Sequence, residues 1–99
     1  MAHSLLELRR EVVDLCIEKG IEPIKAEEGF TEYKISEHRV VAHFVKKYKM
    51  PDYAAHHLIA MMFVQGLIRF HQSQNSSVWY YIIVRDSERV FEGKKVKNG

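Results

Sequence analysis

A chain of 99 residues has room for a single hydrophobic core, and 46% hydrophobic with 28% charged residues is a globular composition, too apolar for a disordered protein. The formal net charge of only +2 gives no strongly basic footprint for nucleic acid. Neither a membrane-spanning apolar run nor a signal-peptide pattern occurs, so we expect an intracellular protein without membrane contact. The sequence has only two Asn and three Gln beside many charged residues, and few amides with many charges is a composition bias of heat-adapted proteins.

The first predicted element is a helix that begins at Ser4. Ser4 and Glu7 have the spacing of a capping box, in which each side chain accepts a hydrogen bond from the other residue's backbone N–H group. Gly20 provides the stop, so the helix should end near Lys19. Its apolar positions recur at helical spacing and are Leu5, Leu8, Val12, Leu15 and Cys16. The single cysteine, Cys16, is predicted to be a buried thiol rather than a nucleophile.

The opposite face of this helix carries an acidic row. Its members are Glu7, Glu11, Asp14 and Glu18. Because such a row repels phosphate, it should face away from any nucleic acid, and we expect it to be solvated. The alternative is a docking surface for a basic partner.

The next predicted elements are a connection, a short strand and a second helix. Residues 20–29 are typical of a connection, and residues 30–35 predict a strand. Ser36 is a suitable N-cap for a second helix, which Pro51 prevents from continuing. Its apolar stripe is Val40, Val41, Phe44, Val45 and Tyr48. The outward positions form the most basic cluster of the folded region: Arg39, His43, Lys46, Lys47 and Lys49.

A third helix should start at Pro51 and Asp52, where proline suits the first turn and aspartate favours the positive end of the helix dipole. It should end near Gly66. The predicted buried residues are Ala55, Leu58, Ile59, Met62 and Phe63. The predicted exposed residues are Asp52, Tyr53, His56, His57, Ala60 and Met61.

A β-hairpin is predicted next. Residues 67–71 and 78–84 have strand patterns around a polar turn at residues 72–77. We therefore place one folded domain at residues 1–84. Residues 85–99 have no clear period and form a basic C-terminal extension that we expect to be flexible.

The order helix, short strand, helix, helix and hairpin resembles the winged helix-turn-helix superfamily over residues 4–84. The segments that carry the resemblance are Asp52-Tyr-Ala-Ala55, Leu58-Ile59, Gly66-Leu-Ile68 and the strand with Trp79-Tyr-Tyr81. It implies an α+β fold of three helices with a small antiparallel sheet and a β-hairpin wing. It also implies that the third helix enters the major groove of DNA while the second helix and the wing contact phosphates.

On this basis we expect a small DNA-binding protein, a transcriptional regulator that works as a homodimer. The third helix departs from the pattern because residues 52–68 contain no Arg or Lys, the residues that most often contact bases. Binding should be modest and steeply salt-dependent, since phosphate contacts would supply nearly all of it. The candidate residues for double-stranded DNA are Arg39, Lys46, Lys47, Lys49, Tyr53, His56, His57, Arg69, His71, Gln72, Gln74, Asn75, Lys94, Lys95 and Lys97.

The rival function is protein interaction, in a host or viral assembly, with no role for DNA. Aromatic residues and methionine are enriched in the cores of protein interfaces. The candidates here are Tyr53, Met61, Trp79, Tyr80 and Tyr81. The last three are consecutive in a strand and cannot all face one side. A continuous positive field from Lys46 to Arg69 would favour DNA, whereas an apolar patch on the third helix would favour a protein partner.

Catalysis, cofactors and metal binding are not expected. The chain has six histidines, but His56 and His57 are adjacent, and His38 and His43 are five residues apart. Neither pair has the i, i+4 spacing that brings two imidazoles to one ion. The sequence also lacks a glycine-rich phosphate loop and the usual serine-hydrolase and zinc-protease motifs.

Overall fold

The computed structural model describes residues 4–74 and 77–86. Within them the chain forms three α-helices and a four-stranded antiparallel sheet, so the predicted α+β class is confirmed. In chain order the elements are α1 (Leu5–Glu18), β1 (Lys25–Glu27), β2 (Phe30–Ser36), α2 (Glu37–Tyr48), α3 (Asp52–Val64), β3 (Ile68–Gln72) and β4 (Tyr80–Asp86). None of these helices is long and apolar enough to cross a membrane.

The three helices begin where the sequence predicts. Ser4 and Glu7 form the capping box, with the Ser4 N–H donating to Glu7 Oε1 over 2.8 Å and the Glu7 N–H to Ser4 Oγ over 3.1 Å. Ser36 precedes α2 in an extended conformation, but its hydroxyl makes no capping bond and its oxygen is buried without a hydrogen-bond partner. Pro51 takes the N-cap position of α3, and Asp52 lies in the first turn.

Two of the helices end in the same motif. Gly20 has a φ of 71°, and the N–H of Ile21 donates to the carbonyl of Cys16 over 3.0 Å, which is the Schellman arrangement. Gly66 closes α3 in the same way, with a φ of 76°. α2 ends instead at Lys49, whose φ of 54° and ψ of 42° are left-handed. Residues that have a side chain adopt this conformation less readily than glycine does.

The sheet has the strand order β1-β2-β4-β3. Tyr33 of β2 and Ile68 of β3 both pair with Val84, so β4 lies between β2 and β3. The predicted strand at residues 30–35 and the predicted hairpin are both confirmed. β4 begins at Tyr80 rather than at residue 78, and it continues to Asp86, two residues beyond the domain boundary that we placed at residue 84.

The prediction that residues 20–29 form only a connection is wrong. Lys25–Glu27 make up β1, which pairs with β2 across a tight turn at Glu28 and Gly29. Gly29 adopts a φ of 103° there. β1 has only three residues, and all their side chains are exposed, so no alternation of buried and exposed positions marks it in the sequence.

The core lies between the helices and one face of the sheet, which we call the helix side; the other face is the open face. The fully buried side chains include Val12 and Cys16 of α1, Phe44 of α2, Ile59 and Met62 of α3, and Ile35, Ile82 and Val84 of the sheet. Phe63 was expected in this core but is 48% exposed. Its ring packs instead on Phe70 of the edge strand β3, with 5.0 Å between the ring centroids. Leu58, also expected to be buried, is only partly so.

Candidate interaction surfaces

The outward side of α3 has a polar first half and an apolar second half. In the first half Tyr53 is 78% exposed, and His56 and His57 are exposed as predicted. In the second half Met61 and Val64 face solvent, Val64 being 78% exposed. Beyond its first residue α3 contains no acidic or basic residue other than the two histidines.

A row of three aromatic rings, which we call the aromatic row, runs from α3 onto the hairpin. Phe63 packs against Phe70, and Phe70 packs edge-on against Tyr80 with 6.0 Å between centroids. Phe63 and Tyr80 are exposed, and Trp79, just before β4, is 77% exposed. Large aromatic side chains clustered at a surface mark an interaction site more often than scattered ones.

The predicted interface residues do not all lie together. Tyr80 lies on the helix side of the sheet beside Phe70, whereas Tyr81 lies on the open face. There the Nζ atom of Lys34 is 4.9 Å from the centre of the Tyr81 ring. Tyr81 is therefore separated from the aromatic row by the thickness of the sheet.

Two of the basic residues assigned to phosphate contacts are held by carboxylates. The Nζ atom of Lys47 lies 3.0 Å from Glu11 Oε1, and Nη2 of Arg69 donates to Glu32 Oε2 over 3.0 Å. Arg69 also lies on the open face, opposite Ile83 in the register. The described residues thus form no continuous positive surface from Lys46 to Arg69.

Two other predicted basic residues do come together. Arg39 and Lys46 line an open cleft of about 570 Å³ between α2 and the end of α1. Lys19 and His43 also line it, and among the described residues Glu18 is its one acidic side chain. Among the described lining residues three permanent cations therefore stand against one carboxylate, and charges of one sign in a concave site attract counter-ions.

A polar cluster between α1 and α2 was missed by the sequence analysis. Glu11 belongs to the acidic row that we expected to be solvated, but its side chain is partly buried and accepts three contacts. Tyr48 donates its hydroxyl to Oε2 over 2.5 Å, His43 Nε2 lies 2.8 Å from Oε1, and Lys47 reaches the same oxygen. We call Glu11, His43, Lys47 and Tyr48 the Glu11 cluster.

The contacts within the Glu11 cluster change how its members ionise. Burial raises the pKa of Glu11, but the hydrogen bonds from Tyr48, His43 and Lys47 outweigh this and bring its pKa below the ordinary value. Burial, followed by the bond to Glu11, raises the pKa of Tyr48. The contact with Glu11 raises the pKa of Lys47. The carboxylate therefore stays charged and the hydroxyl and ammonium stay protonated at neutral pH.

A second cluster lies on the open face of the sheet. Glu32 is only 5% exposed, and its Oε2 atom accepts hydrogen bonds from Nε and Nη2 of Arg85, over 3.3 and 3.2 Å, in addition to the one from Arg69. The Arg85 guanidinium also stacks over the Phe30 ring at 4.2 Å. We call Glu32, Arg69 and Arg85 the Glu32 cluster. It joins the two strands β3 and β4 to β2.

The remaining candidate residues belong to neither the Glu11 cluster nor the Glu32 cluster. His71 is exposed on the open face opposite Tyr81, and Lys49 is exposed at the end of α2. Cys16 is fully buried as predicted, and burial raises the pKa of its thiol to about 12. Among residues 4–74 and 77–86, no three or more His, Cys, Asp or Glu side chains group as metal ligands. Asn75, Lys94, Lys95 and Lys97 lie outside the described residues.

No known protein family, curated protein or solved structure matches this chain. Its function must therefore be inferred from its own surfaces. Three of them differ in chemistry: the outward side of α3 with the aromatic row, the basic cleft between α1 and α2, and the open face of the sheet around Glu32.

Proposed function

We propose that this chain is a small DNA-binding protein of the winged helix-turn-helix type, acting as a homodimer in transcriptional regulation. The observation that carries the proposal is the arrangement of α2, a three-residue connection at 49–51, an exposed α3 and the β3–β4 hairpin. In domains of this type the first turns of the second of these helices contact base edges. Tyr53, His56 and His57 hold those positions here, and all three side chains can form hydrogen bonds.

Phosphate contacts would come from the basic cleft and from the turn before α3. Arg39 and Lys46 line the cleft with Lys19, and Lys49 is exposed at the turn. Lys47 would contribute less, because binding a phosphate would compete with its contact to Glu11. A few such contacts predict an affinity that falls with salt at a slope of roughly −3 on logarithmic axes.

The apolar half of α3 and the aromatic row would form the dimer contact. At the two-fold axis of an interface between two identical surfaces each residue meets its own copy, so a charge there would face a like charge. This surface has almost none, since residues 53–68 contain no Asp, Glu, Lys or Arg. Val64 and Phe63 would supply apolar contact area, with Tyr80 extending it onto the hairpin.

A second candidate function is supported by the same surface. If the α3 side and the aromatic row receive a different protein, the chain is an interaction module without a DNA role. The specific observation in its favour is that Lys47 and Arg69, both expected at phosphates, are occupied by carboxylates.

The DNA proposal can be tested with a fluorescent mixed-sequence duplex titrated at two salt concentrations. We expect binding that weakens steeply with salt and is lost when Arg39 and Lys46 are both changed to Ala. The matched control changes Lys25 and Lys34 to Ala. It removes the same amount of charge from β1 and β2, and neither residue lines the cleft. Absence of binding at low salt, or equal loss in the control, would contradict the DNA role and leave the interaction module as the better account.

The dimer contact can be tested separately by sedimentation equilibrium. Val64→Glu places a charge in the apolar half of α3, and we expect it to convert a dimer into a monomer because the interface would bury an unpaired carboxylate from each protomer. Leu6→Glu is the control, since Leu6 is also exposed but belongs to a different helix, α1. A wild-type protein that is monomeric at high concentration would overturn the homodimer.

A further inference from the structure

The sheet has two edge strands, and they differ in length and charge. β1, at one edge, has only three residues, and two of them are the charged residues Lys25 and Glu27. A short strand with charged side chains resists pairing with another chain. β3, at the other edge, has five residues, and its one Arg, Arg69, donates to Glu32 within the same sheet. β3 is thus the edge that is better suited to accept a further strand.

One side of β3 has backbone groups that no other strand pairs with. β4 lies on one side of β3, and among residues 4–74 and 77–86 no strand pairs with its other side. An edge strand of this kind directs a row of N–H and C=O groups outward. The side chains of Arg69, His71 and Gln72 on this strand are exposed. A strand from another molecule adds to such an edge through main-chain hydrogen bonds.

The surface beside this edge is apolar and aromatic. Phe70, at the centre of β3, contacts Phe63 of α3 and Tyr80 of β4, and both of these partners are exposed. The aromatic row therefore follows the β3 edge on the helix side of the sheet. Exposed aromatic rings supply contact area in the cores of protein interfaces. The β3 edge thus combines free backbone groups with uncovered aromatic surface, and the β1 edge does not.

We propose that two copies of the chain pair through their β3 edges, antiparallel and centred on Phe70, so that two four-stranded sheets form one sheet of eight strands. A second copy fits this edge because residues 53–68 beside it contain no Asp, Glu, Lys or Arg that would face its own copy. The inference rests on the homodimer of the proposed function, and it identifies the backbone part of the dimer contact.

Symmetry and charge select the pairing centred on Phe70. A two-fold axis between antiparallel edge strands is perpendicular to the sheet, so the helix sides of the two copies are continuous and the two aromatic rows meet. With the axis at Phe70 all five residues of β3 are paired, and Arg69 lies opposite the partner's His71. An axis one residue away in either direction pairs only three of the five. An axis at Arg69 also places two arginines opposite each other, which destabilises a sheet.

The test is disulfide cross-linking between two variants, Arg69→Cys and His71→Cys, which are mixed and oxidised. Opposite residues in antiparallel strands have Cα atoms about 4.5–5.5 Å apart, within disulfide range, whereas one residue and its own copy would be about 8 Å apart and out of range. We therefore expect the covalent dimer to form roughly tenfold faster in the mixture than with either variant alone. Cys16 is fully buried, so it should not compete.

The other edge of the sheet provides the matched control. Lys25→Cys and Glu27→Cys flank the centre of β1 as the first two variants flank the centre of β3, and both positions are exposed. We expect no faster cross-linking in this mixture than in its separate variants. Equal preference at the two edges, or equal rates in the β3 mixture and its separate variants, would overturn the pairing of β3.

His71→Cys alone provides a second measurement, because it leaves the contact between Arg69 and Glu32 in place. With a nitroxide label at this position and Cα atoms about 8 Å apart, we expect dipolar broadening of the EPR spectrum that is lost on mixing with unlabelled protein. A sharp spectrum at a concentration where sedimentation equilibrium shows a dimer would overturn the edge pairing and keep the homodimer. A wild-type protein that is monomeric at high concentration would overturn both.

Discussion

Glu11 and Glu32 both gather partners from distant parts of the chain, but the two clusters have different chemistry. Glu11 binds a hydroxyl, an imidazole and one ammonium group, and it joins α1 to α2. Glu32 binds two guanidinium groups and joins three strands. In the Glu11 cluster the carboxylate neutralises the charge of Lys47. In the Glu32 cluster one carboxylate faces two arginines, which leaves positive charge at the surface. A lysine or arginine in the sequence therefore predicts a binding surface only when its carboxylate partners are known.

The largest effect should come from Glu32→Ala. The substitution leaves Arg69 and Arg85 side by side without the buried carboxylate, and we expect the free energy of unfolding to fall by about 2 kcal/mol. Both arginines are half exposed and can regain water, which keeps the loss below that of a fully buried pair. Urea denaturation measures it. Glu32→Gln retains the size of the side chain and one acceptor and should lose less; an equal loss in both variants would mean that the charge, not packing or the remaining acceptor, holds these strands.

A smaller effect is expected from Glu11→Gln. The amide can still accept a bond from Tyr48 but no longer neutralises Lys47, so we expect a loss of about 1 kcal/mol by urea denaturation at pH 7. Glu7→Gln is a control on the same helix, although it weakens the capping box rather than a contact with α2. Unchanged stability in Glu11→Gln would show that the cluster contributes nothing to the packing of α1 on α2.

Acid should weaken the Glu11 cluster. Because the pKa of Glu11 is lower in the folded protein than the 4.5 of an ordinary Glu, its contribution is complete above about pH 4.5 and is lost as the pH falls through the folded value. The stability difference between wild type and Glu11→Gln should therefore shrink as the pH falls below about 4.5 and the folded carboxylate becomes protonated. Denaturation curves at several pH values measure this. A difference that stays constant in acid would rule out an ionised Glu11 as the source.

The smallest effect should come from Lys47→Met. Half of the Lys47 side chain remains in water, and an ion pair at such a position contributes little to stability. We expect an unfolding midpoint in urea that cannot be distinguished from that of the wild type. A loss equal to that of Glu11→Gln would assign the strength of the Glu11 cluster to this ion pair instead of to Tyr48 and His43.

The parts of the fold that follow from neighbouring residues could be predicted from the sequence. The capping box at Ser4, the glycine stops at Gly20 and Gly66 and the hairpin around a polar turn each depend on residues a few positions apart. They place all three helices and three of the four strands. β1 could not be predicted, because an exposed three-residue edge strand has no periodic pattern.

The charged contacts could not be predicted because their partners are far apart in the sequence. Glu11 is 32 residues from His43 and 37 from Tyr48, and Glu32 is 53 residues from Arg85. Helical spacing correctly placed Tyr53, His56, His57 and Met61 at the surface. It wrongly placed Phe63 in the core. A helical pattern cannot show that this position lies beside the edge strand β3, where the Phe63 ring packs on Phe70.

Cys16 can report when the protein unfolds. The thiol is fully buried, and its raised pKa keeps it protonated at neutral pH, so thiol reagents should react with it only when the chain unfolds. The rate of labelling at Cys16 then measures how often the core opens. Since the sequence has no other cysteine, a second one introduced on α3 or on the hairpin would take a fluorophore or spin label selectively in the native protein.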